Sequence, residues 1–187
     1  LFGSRGIYSH PQNSGVSWER GTSLELIDPA NPDGSNDFQH NCGIRIHGGA
    51  FRSFGLTRKK SFRVLFKDIY GPTKLRYPLF GPTAAREFDT LVFRMESNDG
   101  YQWGNRTNVQ YARDEFGRRS QLAMGSPSSH GRFLHVYLNG VYWGLGLEKH
   151  ITADRSVDYT GEYKPLVSGF QYEKLGVVPQ APSAYRK

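Results

Sequence analysis

The residues of this chain best suited to chemistry gather where the loop "GGAFRSFG", residues 48–55, runs through "LTRKK" into "SFRVLF". A glycine-bearing loop lets backbone N–H groups approach a polyphosphate, and a lysine beside it adds a point charge for the phosphate oxygens. Lys60 is the candidate for that lysine, with Gly48, Gly49 and Arg45 close by in sequence. A lysine in this role needs a carboxylate to fix its position, and Asp114 and Glu115 lie in a stretch with helical features. The chemistry these types would support together is the binding and orientation of a phosphorylated ligand.

Each part also has a plainer use. Two glycines serve an ordinary connection between strands. "RKK" at the mouth of a strand guards an edge against aggregation. Asp114 and Glu115 near a helix start complement its dipole. His47, His130 and His135 lack a recognisable ligand spacing, so no metal site is assigned. Tyr142 and Trp143 read as core or hairpin-face aromatics before they read as a sugar-stacking platform.

The elements that would position these residues follow from period and punctuation. "TSLELID" alternates, with Leu24 and Leu26 on one face and Ser23, Glu25 and Ile27 on the other. "DPANPDGSND" is a turn cluster, and "CGIRIHGG" is a short strand with Ile44 and Ile46 opposite Arg45 and His47. In the strand after the loop, parity sets Lys60 with Phe62, Val64 and Phe66, and Lys59 with Ser61, Arg63 and Lys67. Lys60 is therefore expected on the covered face. "FDTLVFRM" reads as a strand buried in its middle. Val109, Ala112, Phe116 and Ala123 fall near helical spacing, with a cap at Asn105, Thr107 or Asn108 and a stop at Gly125 and Pro127. In "RFLHVYLNGVYWGL", Asn139-Gly140 supplies the positive φ angles of a two-residue hairpin turn. From Lys149 onward the pattern fades.

The totals bound the reading. At 187 residues, 37% hydrophobic and 14% aromatic, the chain suits one folded unit. Lys and Arg number 24 against 17 Asp and Glu, a formal charge of +7, so some surface favours anions. Charge alone leaves phosphorylated ligands, acidic proteins and nucleic acid open; nucleic acid is not the expected partner. The single cysteine, Cys42, excludes an internal disulfide. No apolar run approaches the roughly 18 residues of a membrane span, and the chain opens on Leu1 without a basic-then-apolar leader, so it reads as part of a longer polypeptide.

Taken in order, "GIRIHGGAFR", "RKKSFRVLFK", "KLRYPLF", "FDTLVFR", "YARDEFGRRSQLAMG" and "GRFLHVYLNGVYWGL" followed by Glu148 resemble the CotH family, named for a bacterial spore-coat protein kinase. The resemblance runs from about Gly6 to Glu148, and "RGIYSHPQNSGVSWER" looks like what precedes this domain in long, multidomain bacterial members. It implies an atypical protein-kinase-like fold that binds ATP with magnesium and transfers phosphate to serine on protein substrates. Carried onto this sequence, it makes Lys60 the phosphate lysine, with Arg45, Gly48 and Gly49 nearby and Glu115 as the partner of Lys60. Glu148 corresponds to a family glutamate near the link between lobes. Where the family usually has an aromatic and a Glu-Arg pair after the hairpin, this chain has Gly146 and Lys149. The acidic residues for magnesium and the acceptor hydroxyl lie further along in the family than Lys187, so the catalytic set is not assigned and these 187 residues alone are expected to be inactive.

The expected fold is therefore α+β: an antiparallel sheet with one main packed helix, resembling the N-lobe region of an atypical protein-kinase-like fold. Residues 1–22 are expected to be a leading segment or linker, 23–148 the nucleotide-facing region, and 149–187 an irregular tail. The parent would be a bacterial protein, secreted or associated with the envelope or spore coat. An alternative of a different class is a non-catalytic β-rich binding module of a secreted multidomain bacterial protein.

Overall fold

In the computed structural model of the chain, residues 1–95 and 110–150 are described, the side chains of Leu145 and of residues 147–150 excepted. The strands are β1 (Arg20–Leu26), β2 (Phe38–His47), β3 (Ser61–Leu65), β4 (Leu75–Arg76), β5 (Glu87–Phe88), β6 (Thr90–Arg94), β7 (Gly131–Leu138) and β8 (Val141–His150), with one helix, α1 (Arg113–Ala123), among the described residues. Six strands form a sheet in the order β1-β2-β3-β6-β8-β7, each neighbouring pair antiparallel, and β4 with β5 makes a separate two-stranded ribbon. The α+β, antiparallel character expected from the sequence is what the chain adopts.

Alternation along the central strands divides the sheet into two unlike faces. On one, Cys42 and Ile46 of β2, Phe62 and Val64 of β3, and Leu91 and Phe93 of β6 are buried in a single apolar cluster. Burial of each large side chain contributes roughly 1.5–3 kcal/mol, so this face holds the sheet together. On the other face the register sets Arg45 opposite Arg63, and Arg63 opposite Val92. Two segments close the apolar side. Leu75, Leu79 and Phe88 come from the stretch around the small ribbon, and Ile7 comes from the leading residues. Those leading residues are tied in further: the Tyr8 hydroxyl donates to the Arg58 carbonyl at 2.8 Å, and its ring meets Trp143 edge-on at 5.6 Å.

β2 begins at Phe38, four residues before the expected start at Cys42, because Phe38 to Asn41 pair with Leu26 to Ser23 across the turn cluster. The hairpin turn is as expected: Asn139 and Gly140 have φ of 51° and 77°, the left-handed pair that a type I′ turn requires. The helix departs from expectation in its facing. Phe116 is exposed and Ala112 and Ala123 lie outward, whereas Asp114, Glu115, Gly117, Arg118 and Gln121 are buried. The buried face of α1 carries ion-paired Asp114, Glu115 and Arg118 in place of an apolar stripe, which is why hydrophobic spacing misplaced it. The expected caps at Asn105, Thr107 and Asn108, together with Val109, lie outside the described residues. At the other end Gly125, at φ 75°, makes the expected stop. The Gly125 N–H bonds the Leu122 carbonyl and the Ser126 N–H the Gln121 carbonyl, a Schellman closure.

Candidate functional site

Lys60 is completely buried, on the side of the sheet that parity assigned. Its ammonium is turned into the loop that precedes it. Nζ lies 2.5 Å from the Thr57 carbonyl, 2.8 Å from that of Ser53 and 3.5 Å from that of Phe51, with the Phe54 ring centroid at 4.5 Å. Three N–H donors thus face three backbone acceptors and one aromatic face. Desolvation pushes its pKa down to about 8, because burial disfavours the charged form.

The expected ion pair between Lys60 and Glu115 is not formed. Lys60 belongs to the apolar side of the sheet, and the helix is bridged to the other. Glu115 Oε2 accepts from Arg118 at 2.9 Å and Oε1 from Arg119 at 2.7 Å. Arg118 also donates to Asp114 Oδ2 at 2.7 Å. The link from sheet to helix is made one strand and one residue away from the expected place: Arg94, facing opposite to Phe93 on β6, is ion-paired with Asp114.

Arg45 lies on the polar side, where its Nη1 reaches Glu19 Oε1 at 3.3 Å. Glu19 is the node of a buried network. Lys67 Nζ donates to both carboxylate oxygens at 2.9 and 2.8 Å, and the Tyr70 hydroxyl donates to Oε2 at 3.1 Å. The Tyr70 ring lies over Gly43, where a Cβ would run into it, and passes beside Gly21, the cross-strand partner of Gly43. Two facing glycines therefore make the slot that lets the ring lie on the sheet and aim its hydroxyl at Glu19. Like charges directly opposed across strands repel, and Glu19 offsets this where Arg45 faces Arg63.

At the end of β2, Gly48 has φ 120°, a backbone state that side chains rarely adopt, and Gly49 precedes a single 3₁₀ turn over Ala50–Arg52. The loop is fastened from outside by Arg52, whose Nε donates to the Pro11 carbonyl at 2.5 Å and whose Nη2 donates to that of Asn13. Glu148 stands in β8 opposite Phe93 of β6 and Arg132 of β7; its side chain lies outside the described residues. Glu115 stands apart from the loop in its ion pairs, on α1.

Glu19, Lys67, Tyr70, Arg94 and Asp114 complete the polar side, and sequence reasoning gave none of them its present role. Parity could have found part of it, since it already sets Arg63 and Lys67 opposite Lys60. Among the described residues no three His, Cys, Asp or Glu side chains gather to hold a metal ion. No magnesium ligand is assigned among the described residues.

A family model described as "CotH kinase protein" matches residues 44–149, more than half of the chain. The match begins in β2 and ends in β8, and so encloses the loop, Lys60 and α1. No curated protein matches the chain.

Proposed function

Because this chain belongs to the CotH kinase protein family, we propose that it forms the nucleotide-facing region of a kinase that transfers phosphate from ATP to serine on protein substrates. The six-stranded sheet with α1 corresponds in this reading to an N-lobe. The observation that carries it is the meeting, within the matched residues, of a Gly48–Gly49 turn that only glycine enters freely with a sheet face where Arg45 and Arg63 are directly opposed. Turn amides and guanidinium groups are the donors that recognise phosphate oxygens best. Arg45, Gly48 and Gly49 are proposed to meet the triphosphate, with Lys60 directly behind the turn. Glu115 and Glu148 are proposed as acidic groups at the margin of the site, Glu148 on its strand position alone. Serine as acceptor and magnesium as cofactor rest on the family resemblance.

Amide chemical-shift mapping with MgATP tests this reading. Shifts at Gly48, Gly49 and their β2 neighbours, with the β7–β8 turn unmoved, are the expected result. Shifts confined to the hairpin would remove the site from the loop.

A non-catalytic binding module is the second reading. It is favoured by Tyr137 and Tyr142, which are more than half exposed on the hairpin with ring centroids 5.2 Å apart. Such a pair suits the flat face of a sugar. Glycan binding abolished by Tyr142→Ala, with no response to MgATP, would establish that alternative.

A further inference from the structure

The geometry points to Lys60 as a positioning residue, whose ammonium closes the Gly48–Thr57 loop from inside and so sets the path of the Gly48–Gly49 backbone. In this arrangement the loop, and not the lysine, presents donors to a phosphate-bearing ligand. Only that last consequence rests on the nucleotide reading above; the clasp itself stands on contacts within the fold.

Four observations converge. Nζ is aimed at the carbonyls of Phe51, Ser53 and Thr57, which takes up its three donors. The side chain has no exposed surface, so a phosphate oxygen could reach it only by displacing the loop. The Phe54 ring covers the cation where a carboxylate would otherwise be needed, and Phe54 packs in turn on Tyr8 at 5.2 Å. Finally, the Trp143 indole donates to the Lys60 backbone carbonyl at 3.3 Å, so the residue is anchored at the main chain as well as at its tip. Within residues 49–57 the backbone bonds run from Arg52 to Gly49, from Ser53 to Ala50, and from Leu56 and Thr57 to Ser53, each only three or four residues apart. Carbonyls that converge on one point repel, and N–H donors placed between them turn that repulsion into a tie. The charged residues of the loop and of the step into β3, Arg52, Arg58 and Lys59, are all basic, so the loop itself supplies no carboxylate for the ammonium.

The test is hydrogen exchange and ammonium-selective NMR on the whole 187-residue chain. In Lys60→Met, which keeps an apolar stem without the charge, the Arg52, Ser53, Leu56 and Thr57 amides should exchange about tenfold faster or more, as expected when a local opening becomes easier by one charged hydrogen bond. Amides in the β1–β2 ladder should keep their protection. Unchanged protection in the loop would overturn the proposal. Should the variant fail to fold, the wild-type ammonium decides. At pH 6 Lys60 should give a sharp, solvent-protected Nζ signal with contacts to the Phe54 ring, and no such signal would overturn the clasp. With MgATP added, that signal should stay in place while the Gly48 and Gly49 amides shift. Movement of the Nζ signal together with coupling to phosphorus would make Lys60 a direct ligand and reject the positioning role. If MgATP shifts nothing, the nucleotide reading fails, and the exchange data alone decide the clasp.

Discussion

Lys67 grips both carboxylate oxygens of Glu19, at 2.9 and 2.8 Å, and thereby joins the residue just before β1 to the segment that leaves β3. Arg45 and Tyr70 close on the same carboxylate, whose side chain has no exposed surface. One acidic group therefore organises the cationic side of the sheet beside the candidate site.

Glu19→Gln should be strongly destabilising. It removes the carboxylate charge that Arg45 and Lys67 share, and breaking a buried pair by deleting one partner costs about 3–5 kcal/mol. The urea midpoint should fall accordingly. Lys67→Met, at the partly exposed end, should cost less, since water screens that cation.

Gly43→Ala should disturb the same network from below. A methyl group there runs into the Tyr70 ring, and overpacking of this kind costs about 1–3 kcal/mol. The double variant with Tyr70→Ala should recover part of that loss, giving a coupling of at least about 0.5 kcal/mol between the two sites. Purely additive unfolding energies would contradict the slot.

How much of this could be read from sequence depends on the distance over which the information acts. Period two placed Lys60 with Phe62 and Val64, and all three are buried together; Asn139-Gly140 named its own turn. These are local signals. Glu19 is 26 residues from Arg45 and 48 from Lys67, so no local pattern joins them. For α1, hydrophobic spacing picked out Phe116, yet the buried positions are Asp114, Glu115 and Arg118. Apolar periodicity cannot report a helix whose buried face is charged and ion-paired. Lys60 was legible as buried, whereas its carbonyl cage depended on the three-dimensional course of residues 50–57.

Cys42 should be inert to maleimide in the native protein. It has no exposed surface, and burial raises its thiol pKa to about 11, so little thiolate forms at neutral pH. Labelling should appear only with denaturant. Rapid labelling without it would mean that β2 opens locally.

The pH dependence of stability should carry a Lys60 component of defined sign. Its pKa is about 8 in the folded chain against an ordinary value of 10.5. Between these values the unfolded chain holds the proton that the folded chain has released, so this group makes stability rise with pH across that window. Below 8 both forms are charged and its contribution is level. Urea unfolding of wild type and Lys60→Met, compared from pH 7 to 10, should show the rise in the wild type alone.

The most direct test of the central claim, that this chain presents its loop and arginine face to ATP, is calorimetric titration of the chain with MgATP, for wild type and Arg45→Met. The account predicts saturable binding to one site, weakened about tenfold or more in the variant, as loss of a charge-assisted contact requires. No saturable heat from the wild type, or equal affinity in Arg45→Met, would contradict it.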